Sequence, residues 1–364
     1  MSVPDLRDDA TFYRLAAMDH LFWRGRPSQS PRFAQKAALA NAARRRDGFD
    51  VPRPAISLPS LPADATRDDL LEATDGLHRP VVVRGFAQSM PAVQRWTEAR
   101  LRQELGDVPC MVFIQNASSR QESWDRGTQM EQVRFSEYLD RRRNEPLYLN
   151  NSTELFLARP DILEELQLKQ IRERFHTPGS RWDELVTANL FLGGRAVFSA
   201  IHCALAGNCF LEVAGRKRWV FIDPAYGPHL HAIPGRPFQY LKSAYGGSRA
   251  AEERGEQSVI SCLPRYEVVL EPGDLLYNPP WWWHEVDNLD EFTIGVALRH
   301  LPPPPYGSPS WDNHKVWSLL SSWPSARVMI WAHWLVSQMS NTVPSVRDFL
   351  GERQARQVRK GLSR

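Results

Sequence analysis

The chain has 364 residues, 42% of them hydrophobic, and a formal net charge of +3. That length supports one large decorated domain or two ordinary ones, and so small a charge gives no electrostatic footprint for nucleic acid. Thirteen Trp and 28 Pro argue for many short elements and turns and against long helical arrays.

The four cysteines, Cys110, Cys203, Cys209 and Cys262, form no CxxC pair or disulfide-type spacing, which fits a reduced cytoplasm. No basic segment followed by an apolar run opens the chain, so no signal peptide is read and a cytoplasmic location is expected. The most apolar piece, Val328 to Met339, is far short of the ~20 residues that span a bilayer. No membrane and no nucleic-acid partner is expected.

In chain order, residues 11–24 carry apolar residues at helical spacing, and 35–46 read as a second helix with a basic end at Arg44–Arg46. Residues 51–63 are Pro-punctuated and read as an extended linker, so 1–63 form an N-terminal helical extension and linker. A helix then starts at the N-cap Thr66. A strand is expected over 78–86, a helix over 96–106 ended by Gly106, a strand over 108–115, a helix over 134–143 and a strand over 145–151. Residues 153–175 hold a helix and connection, with Pro160 near a helix start.

From Ala188 to Arg299, short β-runs alternate with Gly/Pro turns, the pattern of an antiparallel barrel or jelly roll. A stiff Pro-rich break follows. Two helices after it carry broad apolar stripes that need a partner, either the barrel or a second copy. The expected fold is mainly β: a double-stranded β-helix (jelly-roll) core at 188–301 inside a 64–301 domain, with an N-terminal α/β extension and C-terminal helices at 302–364.

Two stretches carry the chemistry, Asn189–Asp223 with His202 and Glu271–Asn288 with His284. Residues i and i+2 of a strand face the same way, so a barrel-lining H-x-D offers an imidazole and a carboxylate to one ion. A second histidine from a distant strand completes a facial triad that leaves positions open on Fe(II). Here the chain reads His202-Cys203-Ala204, so the carboxylate is missing and Cys203 points to the other face. Glu212, Glu285 and Asp287 are candidate replacements whose position the spacing does not give. Trp281–Trp283, beside His284, are expected to shield a reactive centre from water.

The motifs Ser199-x-x-His202-x-Ala204-x-x-x-Asn208, Gly215-x-Lys217-Arg218-Trp219 and Gly273-Asp274-x-Leu276-x-x-Pro279 with Trp282-Trp283-His284 resemble the cupin-like branch of the JmjC-type Fe(II)/2-oxoglutarate oxygenases. The resemblance, nearest to the asparaginyl hydroxylases, runs from about Pro80 to Leu301. It implies a dioxygenase-type oxidoreductase in which His202 and His284 are the catalytic metal ligands for Fe(II). It also implies that Tyr148, Ser199, Asn208 and Lys217 seat the co-substrate 2-oxoglutarate, with Lys217 on the distal carboxylate. On this view Lys217→Ala loses 2-oxoglutarate affinity with the fold intact.

Three departures from the family are Ala204 for aspartate, Ala297 for asparagine and Glu212 for glutamine. The substrate class expected is a peptide or small molecule, with homodimerisation through the C-terminal helices. The missing aspartate leaves three outcomes open. Hydroxylation could proceed with water as third ligand or with a substitute carboxylate. Halogenation could proceed with chloride in the vacated position, as in halogenases with H-x-A. The chain could also be a non-catalytic cupin-like binding protein.

Overall fold

The computed structural model describes residues 6–22, 27–115, 129–175, 187–204, 206–234 and 240–300. The expected C-terminal helices and the dimer interface assigned to them lie outside the described residues.

Two sheets face each other. One has seven strands in the order β1 (Ile56–Ser57), β13 (Tyr266–Leu270), β10 (Lys217–Ile222), β15 (Trp283–Asn288), β8 (Phe198–Ala204), β12 (Tyr240–Ser243) and β11 (Ala232–Pro234). The other has nine, in the order β2 (Ser60–Leu61), β3 (Val81–Val83), β14 (Leu275–Asn278), β9 (Gly207–Ala214), β16 (Thr293–His300), β7 (Thr187–Gly193), β6 (Leu147–Ser152), β4 (Pro109–Ile114) and β5 (Gln129–Arg134). The architecture is mainly β, with the jelly-roll core that the turn spacing predicts.

The Pro-rich 51–63 segment is more than a linker. It supplies β1 and β2, which pair in parallel with β13 and β3. Both are two-residue strands beside prolines, and each sits at a sheet edge, where a missing N–H breaks no ladder. The β5 strand, paired along its length with β4, was not anticipated either; its charged, polar sequence hides the alternation.

Strand alternation divides the side chains between two kinds of core. On β9, Cys209, Leu211 and Val213 pack outward, as do Ile294, Val296 and Leu298 on β16. Phe210 and Ala297 face the opposing sheet, where they meet Trp219, Phe221 and Val286. At ~1.5–3 kcal/mol per buried large apolar side chain, this inter-sheet layer is what holds the two sheets in register across the space between them.

Helices cover both outer faces. Helices α1 (Leu6–Phe22) and α2 (Phe33–Arg46) bury Phe12, Tyr13, Ala16 and Ala40 against Ile201, Cys203, Val220 and Ile222 of the seven-stranded sheet. The nine-stranded sheet is covered by residues from α3 (Arg67–Ala73), α4 (Pro91–Arg95), α5 (Glu98–Leu105), α6 (Phe135–Arg141), α7 (Glu154–Ala158), α8 (Pro160–Glu164) and α9 (Leu168–Phe175). Thr66 caps α3 as expected and forms a capping box with Asp69. Gly106 ends α5 but keeps right-handed angles, φ −51°, so its role there is not the left-handed cap. All four cysteines are free and buried. Among the described residues no helix is long and apolar enough to cross a membrane.

Candidate active site

Strands β8 and β15 are neighbours, and His284 pairs with His202 directly across them. Opposed residues on adjacent strands share a face, so both imidazoles enter the inter-sheet space. Their ring centroids are 4.2 Å apart at an interplanar angle of 55°. The register then shifts, with Val286 opposite Ser199, which leaves one extra residue in β8 between Ser199 and His202. A bulge of this kind re-aims side chains. Three residues apart on a regular strand, Ser199 and His202 would face opposite ways; here both line one cavity. Gln115 clamps the same segment, donating to Phe198 O at 2.7 Å and accepting from Phe198 N at 3.0 Å.

Each imidazole is oriented through its own Nδ1. His202 Nδ1 lies 2.7 Å from Ala200 O, and His284 Nδ1 lies 2.9 Å from Trp282 O. A carbonyl only accepts, so Nδ1 carries the proton and Nε2 keeps its lone pair. That is the tautomer and orientation a metal-binding histidine needs.

Burial also keeps the rings neutral. It pushes His284 down to about 4 and His202 well below its ordinary value, with the neighbouring imidazole the next cause for His202. The unfolded chain takes up these protons near pH 6.5 while the folded chain does not. Stability from these groups is therefore full above pH 6.5 and declines as the pH falls towards 4. For His284 alone the expected loss between about pH 7.5 and pH 5 is about 2 kcal/mol, measured by urea denaturation. A His284→Gln variant should show a correspondingly flatter acid limb.

The cavity holds about 370 Å³, within the ~300–1,000 Å³ range of small-molecule sites. The seven-stranded sheet lines it with Ser199, His202, Trp219, Tyr240, Lys242 and His284. Across from them stand Tyr148, Phe191, Asn208, Phe210 and Arg299 of the nine-stranded sheet. Tyr148 and Ser199 are hydrogen-bonded to each other, and burial raises the Tyr148 phenol. The Asn208 Oδ1 is buried without a partner, so it is an acceptor awaiting a donor.

Lys217 is placed differently. It faces the inter-sheet space but does not line the cavity. Its ammonium donates to Asn288 Oδ1 at 2.6 Å and Thr293 Oγ1 at 2.7 Å, and Glu212 Oε1 lies 4.0 Å away. Lys217, Glu212 and Thr293 are fully buried. Burial pushes Lys217 down and Glu212 well up, each towards its neutral form.

Phe210 and Lys217 both pack on Gly295, where a Cβ would come within 2.1 Å of Phe210 Cζ and 3.1 Å of Lys217 Cε. Gly295→Ala is expected to displace the Phe210 ring into the cavity and to lower stability by about 1–3 kcal/mol. Chemical denaturation checks the second effect.

Residues 70–299 match the family model of the cupin-like domain. The chain belongs to the cupin-like family. Among curated relatives, tRNA wybutosine-synthesizing protein 5 of Danio rerio is 25% identical over 67% of this chain and 76% of its own length. Jumonji C domain-containing protein 5 of Drosophila melanogaster is 24% identical over 77% of this chain and 66% of its own. Lysine-specific demethylase JMJ21 of Arabidopsis thaliana is 24% identical over 63% of this chain but only 24% of its own length. These similarities support the JmjC-type family and not the asparaginyl hydroxylases in particular.

In this cupin-like domain the three candidate carboxylates lie elsewhere. Glu212 sits by Lys217; Glu285 accepts from the Ser248 backbone N–H at 2.8 Å and from its hydroxyl; Asp287 accepts from Arg218 at 2.7 Å. None of them lines the cavity. Glu285 and Asp287 fall one residue and three residues after His284, and alternation turns them to the other face. Among the described residues no group of three His, Cys, Asp or Glu could hold a metal. Ala204 pairs in register with Tyr240, whose ring centroid is 5.0 Å from that of His202.

The tryptophan triplet, expected to shield the centre, does not line the cavity. Trp281 and Trp283 pack in the outer core under the N-terminal helices, with Cys203, which does point away from the cavity as alternation demands. Trp282 donates from Nε1 to His78 O at 2.7 Å. The aromatic wall comes instead from Trp219, stacked on His284 at 5.6 Å and 22°, with Tyr240 and Phe210. Sequence reasoning missed Tyr240, Lys242 and Arg299. Lys242 and Tyr240 had no motif to mark them, but Arg299 lies two residues beyond Ala297 on an alternating strand and could have been found by counting.

Proposed function

We propose that this cupin-like protein is an Fe(II)- and 2-oxoglutarate-dependent oxygenase acting on a peptide or small molecule. The observation that carries the reading is the facing pair of imidazoles, each with Nδ1 tied to a carbonyl and Nε2 free, on the wall of a small-molecule cavity. Histidines that only filled core would not need both Nε2 lone pairs kept open to one space.

His202 and His284 would hold the metal, which with 2-oxoglutarate supplies oxygen activation, yielding succinate, carbon dioxide and an oxidised substrate. Tyr148, Ser199 and Asn208 would seat the co-substrate through hydrogen bonds. Trp219, Phe210 and Phe191 keep water from the ring faces and lower the local dielectric, which strengthens those bonds. The reading is tested by Fe(II)-dependent conversion of 2-oxoglutarate to succinate, with and without added peptides, small metabolites and, given the relative named for tRNA modification, tRNA. Fe(II)-dependent succinate formation that is lost in His202→Ala is the expected result; its absence with every addition counts against catalysis.

A second reading has its own observation, the lack of a third carboxylate or thiolate ligand among the described residues. On that reading the cavity is a binding site without oxygen chemistry. Fe(II) binding by the parent chain separates the two, and Ala204→Asp, which places a carboxylate two residues from His202, then reports on the centre. An oxygenase centre predicts Fe(II) affinity about tenfold tighter or more in Ala204→Asp, measured by anaerobic titration, and any chloride-dependent halogenation should fall in the same variant. A binding module predicts no Fe(II) binding by the parent chain.

A further inference from the structure

Among the described residues the cavity wall carries two cationic side chains, Arg299 and Lys242, and no carboxylate. Arg299 is partly buried, and among the described residues it makes no hydrogen bond and no ion pair; its electrostatic neighbour is the Tyr240 phenol. Withdrawing a guanidinium from water without a counter-charge is unfavourable. A protein that keeps one on a cavity wall has a site shaped for an anion. Arginine also presents a planar fork that matches a carboxylate with two parallel hydrogen bonds.

Register places Arg299 at the level of the histidines. It pairs with Asn208 across β16 and β9, and Asn208 pairs with Asn278 across β9 and β14. The Asn278 amide lies 3.3 Å from His284 Nδ1. Lys242 pairs with His202 across β12 and β8, so it shares that face. The positive field of Arg299 reaches both imidazoles, and that of Lys242 reaches His202. Lys217 belongs to another level. It pairs with Asn288, four residues from His284 on β15, a separation of about 13 Å along the strand, and its ammonium is held by Asn288 and Thr293.

We propose that Arg299, with Lys242 beside it, is the anion-recognition element of the cavity and receives a carboxylate of a 2-oxo dicarboxylate ligand, in place of Lys217. The proposal rests on the reading of the cavity as a 2-oxoglutarate site and names the residues that take the charge. It has a second consequence. The Arg299 guanidinium, whose field reaches both neutral imidazoles, opposes a bare divalent metal, and a dianion lying between them removes that opposition. Metal and dicarboxylate therefore bind cooperatively, and the cooperativity depends on Arg299.

The test is the binding of Mn(II), 2-oxoglutarate and inorganic phosphate, each alone and in pairs, to the full chain and to Arg299→Gln, Arg299→Lys and Lys217→Met. The expected result is a loss of about 10- to 100-fold in 2-oxoglutarate affinity for Arg299→Gln, the range for hydrogen bonds to charged groups, with a smaller loss for Arg299→Lys. Mn(II) alone should bind Arg299→Gln more tightly than the parent chain, a change of opposite sign that a merely structural role would not give. Folded Lys217→Met should keep its 2-oxoglutarate affinity. If the parent chain binds 2-oxoglutarate and Arg299→Gln binds it equally well, the proposal is overturned while the cavity's reading stands. Phosphate binding lost in Arg299→Gln, with no 2-oxoglutarate binding in any form, would keep the anion site and overturn the co-substrate. Binding of neither anion to the parent chain overturns both.

Discussion

On the proposed oxygenase reading, His284→Ala is expected to abolish metal binding by the cavity while the jelly roll stays folded. His284 supplies one of two Nε2 lone pairs on the wall, and among the described residues no Asp, Glu, Cys or third His joins them there. A three-ligand centre can survive the loss of one donor with reduced affinity; a two-histidine centre cannot. The expected fall in Mn(II) affinity therefore exceeds the ~10- to 100-fold typical of losing an outer partner of a ligand. The side chain is buried and stacked on Trp219, so its removal leaves a small void but no unpaired charge. Paramagnetic titration with Mn(II) measures the first effect and thermal unfolding the second. Retention of full Mn(II) affinity would place the metal elsewhere.

Lys217→Ala destabilises the protein by about 3–5 kcal/mol, the range for breaking a buried charged contact. The sequence resemblance assigns Lys217 to 2-oxoglutarate and implies a variant that folds normally. The structure gives a different expectation. The substitution removes the donor that Asn288 Oδ1 and Thr293 Oγ1 share, leaving the Thr293 hydroxyl to Asn288 Oδ1 at 2.8 Å and Gly193 O at 3.1 Å, removes the cation nearest Glu212, and empties the space of a fully buried stem. Lys217→Met keeps that volume, and Glu212, already pushed towards its neutral form by burial, can stay protonated. Its loss should be smaller, about 1–2 kcal/mol. Urea unfolding of both variants decides. A fully stable Lys217→Ala would mean that the ammonium is not holding these partners.

Much of this was legible in the chain, and the limits have physical causes. The short β-runs from Ala188 onward announced the jelly roll because period-two burial and Gly/Pro turns are local signals. Thr66 announced its helix because a capping box is complete within four residues. The two histidines were found because their motifs hold fixed spacing to turns.

The bulge at Ser199–His202 was not legible, since it is defined by the register against β15 and not by any residue in β8. The fate of Lys217 depended on Asn288 and Thr293, both more than seventy residues away. The same distance effect hides the places of the tryptophans: Trp281 and Trp282 lie in the turn before β15 and Trp283 opens the strand, and only the packing shows which core each one joins. The anion wall escaped notice because Lys242 and Arg299 come from strands that are remote in sequence and meet only across the cavity.

The most direct test of the central claim is an anaerobic titration of the protein with Fe(II) in saturating 2-oxoglutarate, followed by the visible charge-transfer absorption of the chelate. The account predicts a band that saturates at one Fe(II) per chain and disappears in His202→Ala and His284→Ala. Folded protein that gives no band at high Fe(II), or one that persists in both variants, would contradict it.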